Sequence, residues 1–284
     1  DLAVRTFVDP GEEVLIPDKI FRMVPVAAGR AGASLVTVPL GPGLKPDLAA
    51  LERRVGPETK ILAIANPNNP TGSYLTRDEL SGFFARIPTH VLVVLDEAYF
   101  EFANGLVPDY PNGLDFLAEG RSVLVVRTLS KSAGLAGLRI GFGFAPVAVA
   151  DAIHRVREPF NTTSVAQAAA LGALEDDEHV RKTRDHVAAE REHLTRELTA
   201  RGLPPYPSIG NFLLVETPVP FGPIEPEFAR RGVILRPMGG WGFPRAFRVS
   251  VGTREDSTKF LSVLDEVSAA GFLSAATVAT GAAV

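Results

Sequence analysis

The 284-residue chain has no cysteine, one tryptophan, two methionines and four tyrosines. Without a thiol there is no disulfide framework, no thiolate nucleophile and no cysteine-based zinc site. Neither charge is in excess: 29 basic and 33 acidic side chains leave a net −4. The basic residues are dispersed, so there is no electrostatic footprint for nucleic acid or an anionic membrane surface. No apolar run is long enough to span a bilayer, and no signal peptide is visible. Together these features suit a cytoplasmic protein. Asp1 to Val8 has helical apolar spacing but no start methionine and no cap, so it reads as the back half of a helix.

What is present is an alternation of short apolar runs and helical segments. Val14-Leu15-Ile16, closed by Pro17, reads as a strand, and Lys19 to Ala31 as a helix. Leu35 to Val38 is a strand, Asp47 caps a helix to about Val55, and Ile61 to Ala65 is a strand. Thr76 with Glu79 three residues on predicts a capping box. Val91 to Leu95, Val123 to Arg127 and Ile140 to Phe144 are further strands, separated by a Gly/Pro/Asn-rich excursion from Asn104 to Gly113. This order predicts an α/β fold with a mostly parallel doubly wound sheet. Beyond residue 158 come two long polar-faced helices, Thr163 to Leu174 and Asp177 to Arg201. Strands Phe212 to Glu216, Val233 to Arg236 and Phe247 to Val251 follow, with a helix from about Glu255 to Ala269. The expected division is a large domain over 1–158, a smaller α+β domain over 159–270 and a fraying tail over 271–284.

Three consecutive apolar runs end in polar groups. Ile61 to Ala65 leads into Asn66-Pro67-Asn68-Asn69-Pro70-Thr71-Gly72, Val91 to Leu95 into Asp96-Glu97-Ala98-Tyr99, and Val123 to Val126 leads on to Thr128-Leu129-Ser130-Lys131. Ligands of open α/β folds bind at the carboxyl edge of the strands. An amine, a carboxylate, a phenol, an amide and a guanidinium converging there point to a cofactor site built around a Schiff base. Each residue has a plainer reading. Lys131 alone is a solvated strand-end charge, Asp96 a turn cap, Tyr99 a packing aromatic and Ser130 a turn hydroxyl. Turn chemistry explains much of the Asn69 loop, and Phe21 alone is better read as core. In the sharper reading, Asp96 faces a heteroaromatic nitrogen, Tyr99 and Asn69 reach an oxygen on the same ring, and Phe21 stacks on it. Thr128, Ser130 and Arg139 supply two hydroxyls and a fork-shaped cation for a phosphate. Gly134-Leu135-Ala136-Gly137-Leu138 lets the backbone approach closely. Arg248, inside an alternating strand, and Arg236, at a strand end, are surface charges or anchors for an acidic substrate group. His179, His186 and His193 lie two helical turns apart, too far to share a metal, and no metal site is expected.

Asn66 to Gly72, Asp96 to Tyr99, Thr128 to Lys131 and Leu135 to Arg139 resemble the fold-type I aminotransferases that use pyridoxal 5′-phosphate, over about Phe7 to Leu264. Asp96 to Phe102, Arg127 to Gly141 and Arg248 to Glu255 are most similar to histidinol-phosphate aminotransferases. The resemblance implies that Lys131 forms the Schiff base and shuttles the proton, and that Asp96 pairs with the pyridinium nitrogen. It implies that Tyr99 and Asn69 bond the ring hydroxyl oxygen, that Thr128, Ser130 and Arg139 hold the phosphate, and that Phe21 stacks on the ring. Arg248 would bind an acidic group of the substrate, with Arg236 helping at a phosphate. The implied reaction moves an amino group from histidinol phosphate or an aromatic amino acid to a 2-oxo acid such as 2-oxoglutarate, in a homodimer. Family members of roughly 350 residues imply about 70 to 90 residues that this sequence does not contain. Those would carry a Gly-rich phosphate loop and a tyrosine reaching the partner's site. A decarboxylase of a phosphorylated amino acid, an aminotransferase for a secondary-metabolite intermediate and a non-catalytic effector domain of a transcription regulator share these motifs.

Overall fold

A computed structural model describes residues 1–274. Contacts group the chain into two compact units, one made of Asp1–Asn69 with Ser73–Arg184, the other of Pro70–Gly72 with the chain from Asp185 onward. In the first unit, α1 (Leu2–Phe7), β1 (Glu13–Pro17), α2 (Met23–Arg30), β2 (Ser34–Val38), α3 (Leu48–Arg54), β3 (Thr59–Ala65), α4 (Arg77–Phe84) and β4 (Leu92–Asp96) follow in turn. Then come α5 (Gly113–Ala118), β5 (Val123–Thr128), β6 (Gly141–Phe144), α6 (Val147–Val156) and α7 (Ser164–Leu174). Helix α8 (Asp177–Ala200) begins in this unit. The strands form one sheet in the order β2-β1-β3-β4-β5-β6. All neighbours are parallel except β5 and β6.

Alternation along the strands builds a core on each face of the sheet. Leu15, Leu62, Ile64, Leu95 and Val125 meet Leu51, Leu80, Phe83 and Phe116 of α3, α4 and α5 on one face. Val14, Ile16, Ile61, Ala63 and Leu124 face Val4 of α1 and Ala27 and Ala28 of α2 on the other. Burying each large side chain contributes about 1.5–3 kcal/mol. The helix starts are chemically marked. Asp47 accepts from the Ala50 amide at 2.9 Å, and Thr76 and Glu79 complete the predicted capping box, together of order 1–2 kcal/mol.

In the second unit, β7 (Phe212–Glu216), α9 (Glu225–Arg230), β8 (Arg236–Pro237), β9 (Ala246–Ser250) and α10 (Arg254–Ala269) follow in turn. The strands form an antiparallel sheet in the order β7-β9-β8. Phe221, Phe228, Phe247 and Phe260 pack at centroid distances of 4.8–6.4 Å in its core.

The structure departs from the sequence expectation at several places. Helix α2 starts at Met23, not Lys19, because the chain after β1 bends over residues 18–20 and is held there: the Asp18 amide bonds the Val38 carbonyl and Asn68 Nδ2 bonds the Lys19 carbonyl. The strand expected over 233–236 shrinks to Arg236–Pro237, since the Val233 amide closes the end of α9 on the Phe228 carbonyl and Ile234 is exposed. Helices α5, α6 and α9 have no counterpart in the sequence expectation. Helix α7 is not polar-faced: Val165, Leu171 and Leu174 are exposed. Of the expected tail, residues 275–284 lie outside the described residues.

Candidate active site

Three parallel strands end side by side and deliver the polar groups. Ala65 is the register partner of Asp96, and Asp96 of Val126. By alternation Asp96 takes the sheet face of Leu92 and Val94, while Glu97 takes that of Val93 and Leu95.

The loop after β3 is held by one side chain acting as an extra length of backbone. Asn66 accepts from the Leu75 amide at 2.8 Å and donates to the Leu75 carbonyl at 3.1 Å. Its own carbonyl accepts from the Tyr110 hydroxyl at 2.6 Å, and its amide bonds the Asp96 carbonyl at 2.8 Å. The Asn66–Pro67 peptide is cis. So fixed, the loop brings the buried Asn69 to Tyr99, where its Nδ2 donates to the phenol oxygen at 3.2 Å.

The Lys131 loop is pinned on either side. Thr128 Oγ1 accepts from the Ser130 amide at 3.1 Å. The buried Leu129 bonds the Ile140 carbonyl at 3.2 Å and accepts from the Leu135 amide at 2.9 Å. A side chain at Gly141 would put its Cβ 2.6 Å from the Arg127 carbonyl oxygen, so only glycine lets β6 close on β5 there. Lys131 Nζ stands 5.5 Å from the centroid of the Tyr99 ring. Arg139 follows a short turn with φ of 54° and donates to the Ala136 carbonyl at 2.7 Å. That left-handed backbone costs a residue other than glycine about 1 kcal/mol or more, the kind of strain found at functional sites.

Phe21, Asn69, Asp96 and Tyr99 line one cavity of about 320 Å³ together with Thr128, Ser130, Lys131 and Arg139. Phe21 is 43% exposed, which removes the plain reading of it as core. Burial pushes the Asp96 carboxyl above the usual carboxylate range, while the Ala98 amide, 3.0 Å from Oδ1, and the Lys131 ammonium pull it back. A cation brought to Asp96 would relieve that penalty.

Sequence reasoning missed two residues. Arg127 also lines this cavity, and Glu97 lies beneath it, fully buried and paired to Arg127. The signals were there: a charge ending the run Val123 to Val126, and a second acid directly after Asp96.

In the second unit, Arg236 and Arg248 line a cavity of about 620 Å³. They are register partners across the β8–β9 pair, so both side chains leave the same face. The Arg248 guanidinium carbon lies 4.8 Å from the Phe212 ring centroid. Among the described residues no group of three or more His, Asp or Glu side chains is placed to hold a metal, and no helix is long and apolar enough to cross a membrane.

The family "Aminotransferase class I and II" matches residues 1–264. Histidinol-phosphate aminotransferase 2 of Methylococcus capsulatus is 42% identical over 272 residues, which is 94% of this chain and 73% of that protein. Histidinol-phosphate aminotransferase 1 of Nitrosococcus oceani is 42% identical over 267 residues, 94% of this chain and 71% of that protein. Among solved structures, the histidinol-phosphate aminotransferase of Sinorhizobium meliloti in complex with pyridoxal 5′-phosphate superposes with a TM-score of 0.86 at 28% identity, covering 95% of this chain and 74% of that one.

Proposed function

The chain belongs to the class I and II aminotransferase family, and on that premise we propose that it is a pyridoxal 5′-phosphate-dependent transaminase that takes the amino group of histidinol phosphate and passes it to a 2-oxo acid such as 2-oxoglutarate. The observation that carries the reading is the convergence of Asn69 after β3, Asp96 and Tyr99 at the end of β4, and Lys131 and Arg139 between β5 and β6 on one cavity.

The donor set fits the cofactor group by group. Lys131 would bond its aldehyde carbon, and Asp96 its ring nitrogen. Tyr99 and Asn69 would bond its ring oxygen, while Thr128, Ser130 and Arg139 would hold its phosphate and Phe21 would cover a ring face. When bound, the cofactor supplies a protonated ring that takes up the electrons of the broken Cα–H bond. The buried Asp96 anion favours that protonated nitrogen. Lys131 Nζ would be the base that takes the proton from the donor Cα. In the second unit, the Arg236–Arg248 pair would offer two forked cations to an acidic group. The first unit is then the cofactor-binding domain.

We also infer a cytoplasmic homodimer. Val147, Phe160, Val165, Leu171 and Leu174, all between the start of α6 and the end of α7, are 55–96% exposed in the single chain, and covering them would favour self-association. Light scattering at micromolar concentration should return twice the chain mass.

The test is a visible spectrum with pyridoxal 5′-phosphate and a coupled assay for glutamate formed from histidinol phosphate and 2-oxoglutarate. Lys131→Ala should lose both the visible absorbance and the turnover. Normal turnover by that variant would sink the assignment. Turnover with phenylalanine but not histidinol phosphate would move the substrate to an aromatic amino acid, and release of carbon dioxide from threonine phosphate would make the protein a decarboxylase.

A further inference from the structure

Arg127 and Glu97 form a buried ion pair, with side chains 11% and 0% exposed. Arg127 donates to Glu97 Oε2 from Nε at 2.9 Å and from Nη2 at 2.7 Å. Nη2 also reaches Asn112 Oδ1 at 2.7 Å, and the guanidinium carbon lies 3.5 Å from the centroid of the Phe100 ring. The other oxygen of Glu97, Oε1, accepts from the Gly113 amide at 2.7 Å. Both partners are therefore held from two sides.

The surrounding sequence makes room for this pair. A Cβ at Gly113 would lie 2.8 Å from Glu97 Oε1 and 2.9 Å from Leu95 Cδ2 and Val125 Cγ2. Only glycine lets the start of α5 descend onto the carboxylate. Yet a buried ion pair is a poor source of net stability, because apolar residues of the same volume often do as well. What such a pair adds is a fixed separation between the elements that carry it.

Those elements are the two that carry the reacting groups. Glu97 directly follows Asp96, and its amide bonds the Val126 carbonyl at 2.9 Å. Arg127 directly precedes Thr128 and stands four residues before Lys131. The bridge crosses from β4 to β5 where both strands hand over to the cavity.

We propose that the Glu97–Arg127 pair, braced by Asn112 and the Gly113 amide, is a positioning device that sets the placement of Lys131 relative to Asp96. Arg127 borders the cavity but acts through the strands, not on the substrate. The proposal rests on the reading of this cavity as the cofactor site.

A double-mutant cycle tests it. Glu97→Gln, Arg127→Lys and the combined variant of the full chain are compared with wild type after loading with pyridoxal 5′-phosphate. Four quantities are read: kcat, the KM for donor and 2-oxo acid, the pH midpoint of the visible absorbance, and thermal unfolding of the cofactor-free protein. Misplacing Lys131 should lower kcat by roughly tenfold in each single variant while both KM values stay within about twofold. The absorbance midpoint should move, although Asp96, Tyr99 and Arg139 are unchanged. The combined variant should be no worse than the weaker single one, since both remove the same contact. Asn112→Ala, which deletes this brace together with the cap that Oδ1 gives the Leu114 amide at the start of α5, should move the midpoint in the same direction by less, and serves if a charge variant fails to fold. Multiplicative losses in the combined variant would overturn the proposal. A raised KM with an unmoved midpoint would overturn it too, by making Arg127 a substrate contact. So would unchanged kcat and midpoint in both single variants. Wild-type protein that gains no visible absorbance would instead overturn the cofactor reading beneath it.

Discussion

Asn69 donates its side-chain amide to the phenol oxygen of Tyr99 at 3.2 Å, joining the loop after β3 to the loop after β4. A phenol that accepts one hydrogen bond can also donate one. In the proposed site the ring oxygen of the cofactor would accept it. Tyr99→Phe should therefore shift the visible absorbance of the bound cofactor and lower kcat by roughly tenfold. It should destabilise the cofactor-free protein by only about 1 kcal/mol, the usual worth of one hydrogen bond. Spectral titration beside thermal unfolding separates the two effects. An unshifted spectrum would remove Tyr99 from the site.

Arg236 and Arg248 stand opposite one another on β8 and β9. Like charges in cross-strand register repel by about 0.2–1 kcal/mol, and an anion between them reverses the sign. Inorganic phosphate should therefore raise the unfolding temperature of wild type by more than that of Arg248→Gln. Arg248→Gln should raise the KM for histidinol phosphate by roughly 10–100-fold, matching the loss of a charged hydrogen bond of about 1.5–3 kcal/mol. An equal phosphate response in both proteins would rule the pair out as an anion anchor.

Asp96 sets stability against function. Burial raises its carboxyl above the usual range. Between that range and the raised value, the folded chain binds more protons than the unfolded one, so stability falls as pH rises through that window. Asp96→Asn removes the buried charge and should raise the unfolding temperature of cofactor-free protein at neutral pH by roughly 2–4 °C, about 1 kcal/mol. The same change removes the anion from the ring nitrogen and should cut turnover by roughly a hundredfold or more. A less stable Asp96→Asn protein would contradict the account.

Glu190 on α8 and Arg254 on α10 form an unequal pair, with side chains 5% and 60% exposed. Burial pushes the Glu190 carboxyl up, but hydrogen bonds from Arg254 at 2.7 Å and Ser257 at 3.0 Å outweigh it and hold it below the usual range. Stability from this pair is thus present above the ordinary glutamate range and is lost as pH falls through the lowered value. Arg254→Ala should destabilise by about 3 kcal/mol, because it strands a buried charge. Glu190→Gln should cost less, since the arginine it releases is already solvated. Chemical denaturation of the two variants at neutral pH checks the order.

Much of this protein could be read along the chain. The strand–helix alternation required a mostly parallel sheet, and the caps at Asp47 and Thr76 marked where helices begin. The convergence of Lys131, Asp96, Tyr99 and Asn69 on one cavity was legible because they follow three apolar runs, and parallel strands must bring such ends to one edge. Helices α5 and α6 were not: α5 starts at Asn112-Gly113 inside a Gly/Pro/Asn-rich stretch that reads as loop, and α6 follows Pro146 with no side-chain cap to mark it.

The sequence by itself determined which chemical groups are available and at which strand ends they sit. That follows from local rules: burial patterning, turn chemistry and capping act over a few residues. The tertiary structure alone decided what each group touches. The Asn69–Tyr99 bond spans 30 residues, and so does the Glu97–Arg127 bridge. The pairing of Arg236 with Arg248 depends on the register of β8 and β9. These contacts belong to strand pairing and loop closure between distant segments, where a shift of one residue would turn every side chain to the opposite face.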